Sequence, residues 1–127
     1  MEFGTMMQAL SDLANGSFSQ YDDTTSVIIV HVDEHRIQTV FAYDEGEKGI
    51  KFYSKACEAT DDIPFDEIIK DNGSLSYAAI RLQDGNLIVD SRTLPGAQAG
   101  EGMKEMLLEV ALTADKWELE LTGKDVN

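Results

Sequence analysis

Few side chains in this sequence are able to do chemistry, and their spacing does not favour it. His31 and His35 stand four residues apart, the spacing that lets two imidazoles share a zinc ion on a helix. Here the spacing spans a strand end and a turn, where the two rings are not aimed at one point. The pair reads as two solvated imidazoles, and no metal is expected. Cys57 is the only thiol, and a nucleophilic cysteine needs a base beside it and a depressed pKa. Its neighbours Glu58, Asp61 and Asp62 push the pKa the other way, so partial burial at a strand end is the expected fate. Gly96, Gly100 and Gly102 precede a helical pattern, as the glycines of a phosphate loop do. The segment lacks both a Gly-Lys-Ser/Thr ending and a G-x-G-x-x-G run, and Glu101 puts negative charge where an anion would sit. It reads as a flexible loop that starts the last helix. No G-x-S-x-G occurs, and Asp44-Glu45-Gly46-Glu47 lacks the alternating ligands and closing glutamate of an EF-hand. With 24 Asp and Glu, some carboxylates always lie close together, so their pairing carries no catalytic meaning. The sequence therefore singles out no catalytic residue and no cofactor site.

The elements that could position any site fit within one domain of 127 residues. Apolar residues make up 43% and charged residues 27%, which suits a folded chain rather than a disordered one. The net charge of −14 repels phosphate backbones and anionic membrane surfaces, so neither nucleic acid nor membrane is an expected partner. Unbroken apolar runs such as Val27 to Val30 are far too short for a membrane span. A single cysteine and the lack of a secretory signal pattern predict a cytoplasmic protein. Residues 1–5, Met-Glu-Phe-Gly-Thr, read as a cloning-derived extension ahead of a domain over residues 6–127.

Along that domain, Met7, Leu10, Leu13 and Ala14 recur at helical spacing and stop at Asn15-Gly16, predicting a short first helix from Met6 to Ala14. Ser26–Val32, Arg36–Tyr43 and Gly49–Cys57 are rich in β-branched and aromatic residues and read as a three-stranded meander. In the second of these, Ile37, Thr39, Phe41 and Tyr43 share one face and Arg36, Gln38, Val40 and Ala42 the other, so its sidedness is only partial. In the third, Ile50, Phe52, Ser54 and Ala56 oppose a wetter face of Lys51, Tyr53, Lys55 and Cys57. Pro64 opens a second short helix, with Phe65, Ile68 and Ile69 on one side and Asn72-Gly73 at its end. Leu75–Leu82 and Leu87–Ser91 read as two more strands, joined through Asp84-Gly85 as a hairpin. A long helix then runs from Gly102 to Leu121. The order α-βββ-α-ββ-α, with antiparallel short-loop strands, is of the α+β class.

The last helix carries the sharpest functional signal. Met103, Met106, Leu107, Val110, Ala114, Trp117 and Leu121 form one broad face, with Trp117 assigned to the core, while Leu108, Leu112 and Leu119 align on the opposite side. A helix that packs on its sheet with one face and presents leucines on the other resembles a homodimer seam or a partner groove. Tyr53 and Tyr77, on the wetter side of the sheet, are expected to extend that surface. Arg36 and Gln38 are assigned structural roles on a strand face.

Several stretches together resemble the type III secretion chaperone-like superfamily, and within it the YbjN-type proteins. They are Arg36-Ile37-Gln38-Thr39-Val40, similar to the family's R-x-Q-x-V strand; Leu75-Ser76-Tyr77-Ala78-Ala79-Ile80 followed by Asp84-Gly85 and Leu87-Ile88-Val89; Leu94-Pro95; and Val110 to Glu118. The likeness spans roughly residues 7 to 121 and rests on structural rather than catalytic motifs. It implies a small acidic α+β homodimer without enzymatic activity that binds other polypeptides. Against the secretion chaperones, the first helix is short and no effector signature is present. The chain's acidity suits a protein or peptide partner with a basic segment. The competing class is a small-ligand-binding protein or an enzyme with a dispersed site, which predicts a concave pocket with convergent polar groups.

Overall fold

The computed structural model describes residues 2–123. Helix α1 (Phe3–Leu13) leads into strands β1 (Ser17–Asp22), β2 (Thr25–His31) and β3 (Ile37–Asp44); a 3-10 turn over Gly46–Lys48 then leads to β4 (Ile50–Glu58). Helix α2 (Phe65–Ser74), strands β5 (Ala79–Gln83) and β6 (Asn86–Arg92), and helix α3 (Glu101–Thr122) complete the order. The six strands form one antiparallel sheet in the order β1-β2-β3-β4-β6-β5. The protein is of the α+β class.

Period-two alternation decides which side of the sheet is buried. Ile28 and Val30 of β2, Val40 and Ala42 of β3, Phe52 and Ala56 of β4, and Leu87 and Val89 of β6 join a single core. The helices close that core with Met7 and Leu10 of α1, Ile68 of α2, and Leu107, Val110, Ala111, Ala114 and Trp117 of α3. Trp117 is 2% exposed, as its place on the broad helical face predicts.

Three departures from the sequence reading have physical causes. The meander gains a fourth strand, β1, whose residues Ser-Phe-Ser-Gln-Tyr-Asp are nearly all exposed. Only Phe18 packs against the core, so hydrophobic periodicity is silent, and pairing with β2 across a tight turn makes the strand. Helix α1 starts at Phe3 rather than Met6, and Phe3 is itself buried. Cys57 is buried, as expected at the strand end, but it leaves the outward face that strict alternation in β4 gives it because the register slips between Lys55 and Cys57. One extra residue in a strand turns the next side chain to the other face.

The turns are set by specific side chains and by glycine. Asp84 (φ 52°) and Gly85 (φ 79°) both adopt positive φ, the signature of the type I′ hairpin that an Asp-Gly pair encodes. Gly49 has φ 91°, and a Cβ there would stand 2.2 Å from the Thr93 carbonyl oxygen. In the β2–β3 turn the Asp33 carboxylate accepts the His35 and Arg36 amides at 2.7 and 2.9 Å and pairs with the Arg36 guanidinium at 2.7 Å. The His35 amide, above all, holds the Asp33 carboxyl below its ordinary 3.8; the Thr24 amide does the same for Asp22 in the β1–β2 turn.

Two predictions follow from the turns. Gly49→Ala meets both strain and backbone overlap, whereas Gly85→Ala meets open space and strain alone. In urea unfolding we expect Gly85→Ala to cost about 1–2 kcal/mol and Gly49→Ala clearly more; equal losses would refute the close approach to Thr93. A carboxyl with a depressed folded pKa stabilises the fold above its unfolded pKa and loses that contribution as pH falls. Stability should therefore decline below about pH 4, and Asp33→Asn should flatten the decline; an unchanged slope would count against the turn assignment.

Candidate functional site

Helix α3 lies on the inner side of the sheet, and its outer side faces solvent. Leu112 and Leu119 are 49% and 39% exposed, as their alignment predicts. Leu108 is half-buried and packs against the core, so the leucine stripe is narrower than the helical wheel suggests. Charged contacts border it. Beside it, Asp115, 3% exposed, takes the Arg36 guanidinium through Nε at 3.1 Å and Nη2 at 3.0 Å. Arg36 thus ties the β2–β3 turn to α3, and its task is structural. Elsewhere on α3, Lys116 and the Trp117 indole N–H both reach Asp71 of α2, at 3.2 and 2.7 Å.

Glu109 makes the most economical of these contacts. Its carboxylate accepts the backbone amides of Ser76, Tyr77 and Ala78 at 3.0, 2.7 and 2.7 Å. This explains why β5 begins at Ala79 and not at Leu75: those amides are taken by a helix side chain instead of a strand neighbour. Tyr77 is drawn the same way. Its hydroxyl donates to Glu105 at 2.9 Å, which raises its pKa.

Tyr53 lies elsewhere. It projects from β4 on the side of the sheet away from the helices, opposite Phe41 on β3, with the Lys51 ammonium 5.7 Å from its ring centre. Burial, then the fields of Asp84 and Asp90, raise its pKa. The expectation that Tyr53 extends the leucine surface of α3 is therefore corrected: the sheet separates them. Gln38, assigned to a strand face, is fully buried on the helix side. Its amide nitrogen donates to Ser54 Oγ and to the Lys55 carbonyl, both at 2.9 Å.

Residues missed by the sequence reading complete the Tyr53 surface. Val27, Ile29, Phe41 and Tyr43 share its face, and the Phe41 and Tyr43 rings stack with centres 6.3 Å apart. The signal lay in the second predicted strand, both of whose faces carry apolar residues. The buried Gln38 disguised which one was inside.

The chemically suggestive residues do not converge. His31 and His35 are both exposed, and no group of three His, Cys, Asp or Glu able to hold a metal ion occurs among the described residues. Burial, and then the charge of nearby Glu118, raise the Cys57 thiol pKa, opposite to what a nucleophile needs. The depressions are open. One of about 340 Å³ is lined by Leu94, Ala97, Met103, Met106 and Tyr77, and another of about 380 Å³ by Tyr43, Glu45, Lys51, Tyr53 and Gln83. No described helix is long and apolar enough to cross a membrane. Comparison with protein-family models and with curated proteins finds no match for this chain.

The Glu109 contact gives a local prediction. Glu109→Ala leaves three amides without their acceptor and should cost about 2 kcal/mol. Hydrogen exchange at Ser76, Tyr77 and Ala78 should accelerate while β4 and β6 stay protected. Unchanged exchange at those amides would show that the carboxylate does not hold the loop.

Proposed function

We propose that this chain is a non-enzymatic polypeptide-binding protein, chaperone-like or regulatory, that acts as a homodimer. The observation that carries this reading is a pair of apolar surfaces outside the core, Leu112 with Leu119 exposed on α3 and the half-buried aromatic face of the sheet. Exposed contiguous apolar surface of this kind marks interaction sites. The resemblance to YbjN-type and type III secretion chaperone-like proteins supports the same reading. Leu112 and Leu119 lie seven residues apart, about 10 Å along the helix, and a two-fold pairing of this helix sets each stripe against its copy. A charge of −14 per chain opposes such pairing at long range.

The alternative is a small-ligand-binding protein, for which the depression bordered by Leu94, Met103 and Met106 is the site of suitable character.

Light scattering over a dilution series tests the dimer. We expect the wild type to show twice the chain mass and to hold together better as salt screens its charge. Leu112→Asp should give the single-chain mass with unchanged circular dichroism. A mass unaffected by the substitution would remove the helix seam, and a monomer at every concentration would turn attention to the ligand depression.

A further inference from the structure

Antiparallel sheets with one solvated face alternate apolar-in and polar-out, and this sheet does not. From Thr25 to Ile29 and from Ile37 to Tyr43, the outward positions of β2 and β3 hold no charged residue. The register makes the apolar row continuous, since Val27 lies opposite Phe41 and Phe41 opposite Tyr53. Ile88, outward on β6 between Lys55 and Arg81, is fully buried although it belongs to no part of the main core.

The other half of the same face is charged, with four cations and with Asp90 directly opposite Tyr53. Lys51, Lys55, Arg81 and Arg92 project from it, in a chain with only 10 Lys and Arg against 24 Asp and Glu. Arg81 pairs with Asp90 and Arg92 with Glu45. Lys51 and Lys55 make no ion pair among the described residues, although carboxylates outnumber cations more than twofold. Lys51 borders the 380 Å³ depression beside Tyr43 and Tyr53. It also borders a second of about 330 Å³ beside Ala79, Arg81 and Asp90. Aromatic rings and the Lys51 ammonium thus share one depression.

We propose that this open sheet face binds an acidic, apolar segment of a partner polypeptide. The segment's apolar side chains rest on Val27, Phe41, Tyr43 and Tyr53, and its carboxylates reach Lys51 and Lys55. Charge complementarity selects this occupant. A second copy docked face to face places the Lys51 and Lys55 of both chains in one interface, like charge against like. A nucleic acid meets four cations, two already paired, within the field of a −14 protein. The inference rests on the polypeptide-binding reading and names the chemistry of the bound segment.

The probe is a short fluorescein-labelled peptide repeating Glu-Phe-Glu-Ser, set against a counterpart with Lys for every Glu, with binding read by fluorescence anisotropy. The wild type should prefer the acidic peptide, and binding should weaken with salt. Lys51→Gln with Lys55→Gln should weaken binding several-fold, and Lys51→Glu with Lys55→Glu about tenfold or more, each with unchanged circular dichroism. Preference for the lysine peptide, or acidic binding indifferent to both double substitutions, would overturn the site while leaving polypeptide binding standing. If neither peptide binds and the protein is also monomeric, the polypeptide-binding reading falls with it.

Discussion

A single helix has to cover the middle of a six-stranded sheet. Leu107, Val110, Ala114 and Trp117 of α3 occupy the same core as Phe52 and Ala56 of β4 and Val89 of β6, while α1 and α2 serve the flanks. Burying each large side chain of this kind contributes roughly 1.5–3 kcal/mol, so the sheet's position depends on α3 staying docked. Three helices are enough to cover one face of the sheet and not the other. The open face is therefore a consequence of the architecture, and only its composition is left for the sequence to choose.

The docking of α3 is fixed by carboxylates as much as by apolar contact. Glu109 holds the loop before β5, Asp115 holds the β2–β3 turn through Arg36, and Asp71 of α2 receives both Trp117 and Lys116. Asp22 and Asp33 shape the first two hairpins in the same way. Amides at a loop or turn that lack a strand neighbour need another acceptor, and a carboxylate supplies a strong one. Part of the −14 charge is thus structural.

The elements legible in the sequence were those with a strong period or a strong turn. Helix α3, the core place of Trp117 and the Asp84-Gly85 hairpin all follow from local pattern. Strand β1 could not be read because its stability comes from pairing with β2 and from the turn, not from its own apolar content. Residues 76–78 look like strand and are not, because Glu109, over thirty positions away in sequence, takes their amides. The exposed Leu112 and Leu119 were visible on a helical wheel. The sheet surface was not, since choosing between the two faces of β3 requires knowing that the Gln38 amide nitrogen finds acceptors inside, in Ser54 and the Lys55 carbonyl.

Net charge and local charge act at different distances, and here they point in opposite directions. At separations beyond a Debye length, about 8–10 Å in physiological salt, an approaching molecule responds to the whole −14. Once in contact with the sheet it meets Lys51 beside the Tyr43 and Tyr53 rings, where neighbouring dipoles and charges outweigh distant ones. Long-range acidity then discourages indiscriminate binding of acidic chains, and only a segment whose apolar side chains fit the floor recovers enough contact energy to stay. On the proposed reading, a sheet face that sets Lys51 and Lys55 beside half-buried aromatic rings discriminates among acidic segments by their apolar pattern, although the protein's overall field repels them all.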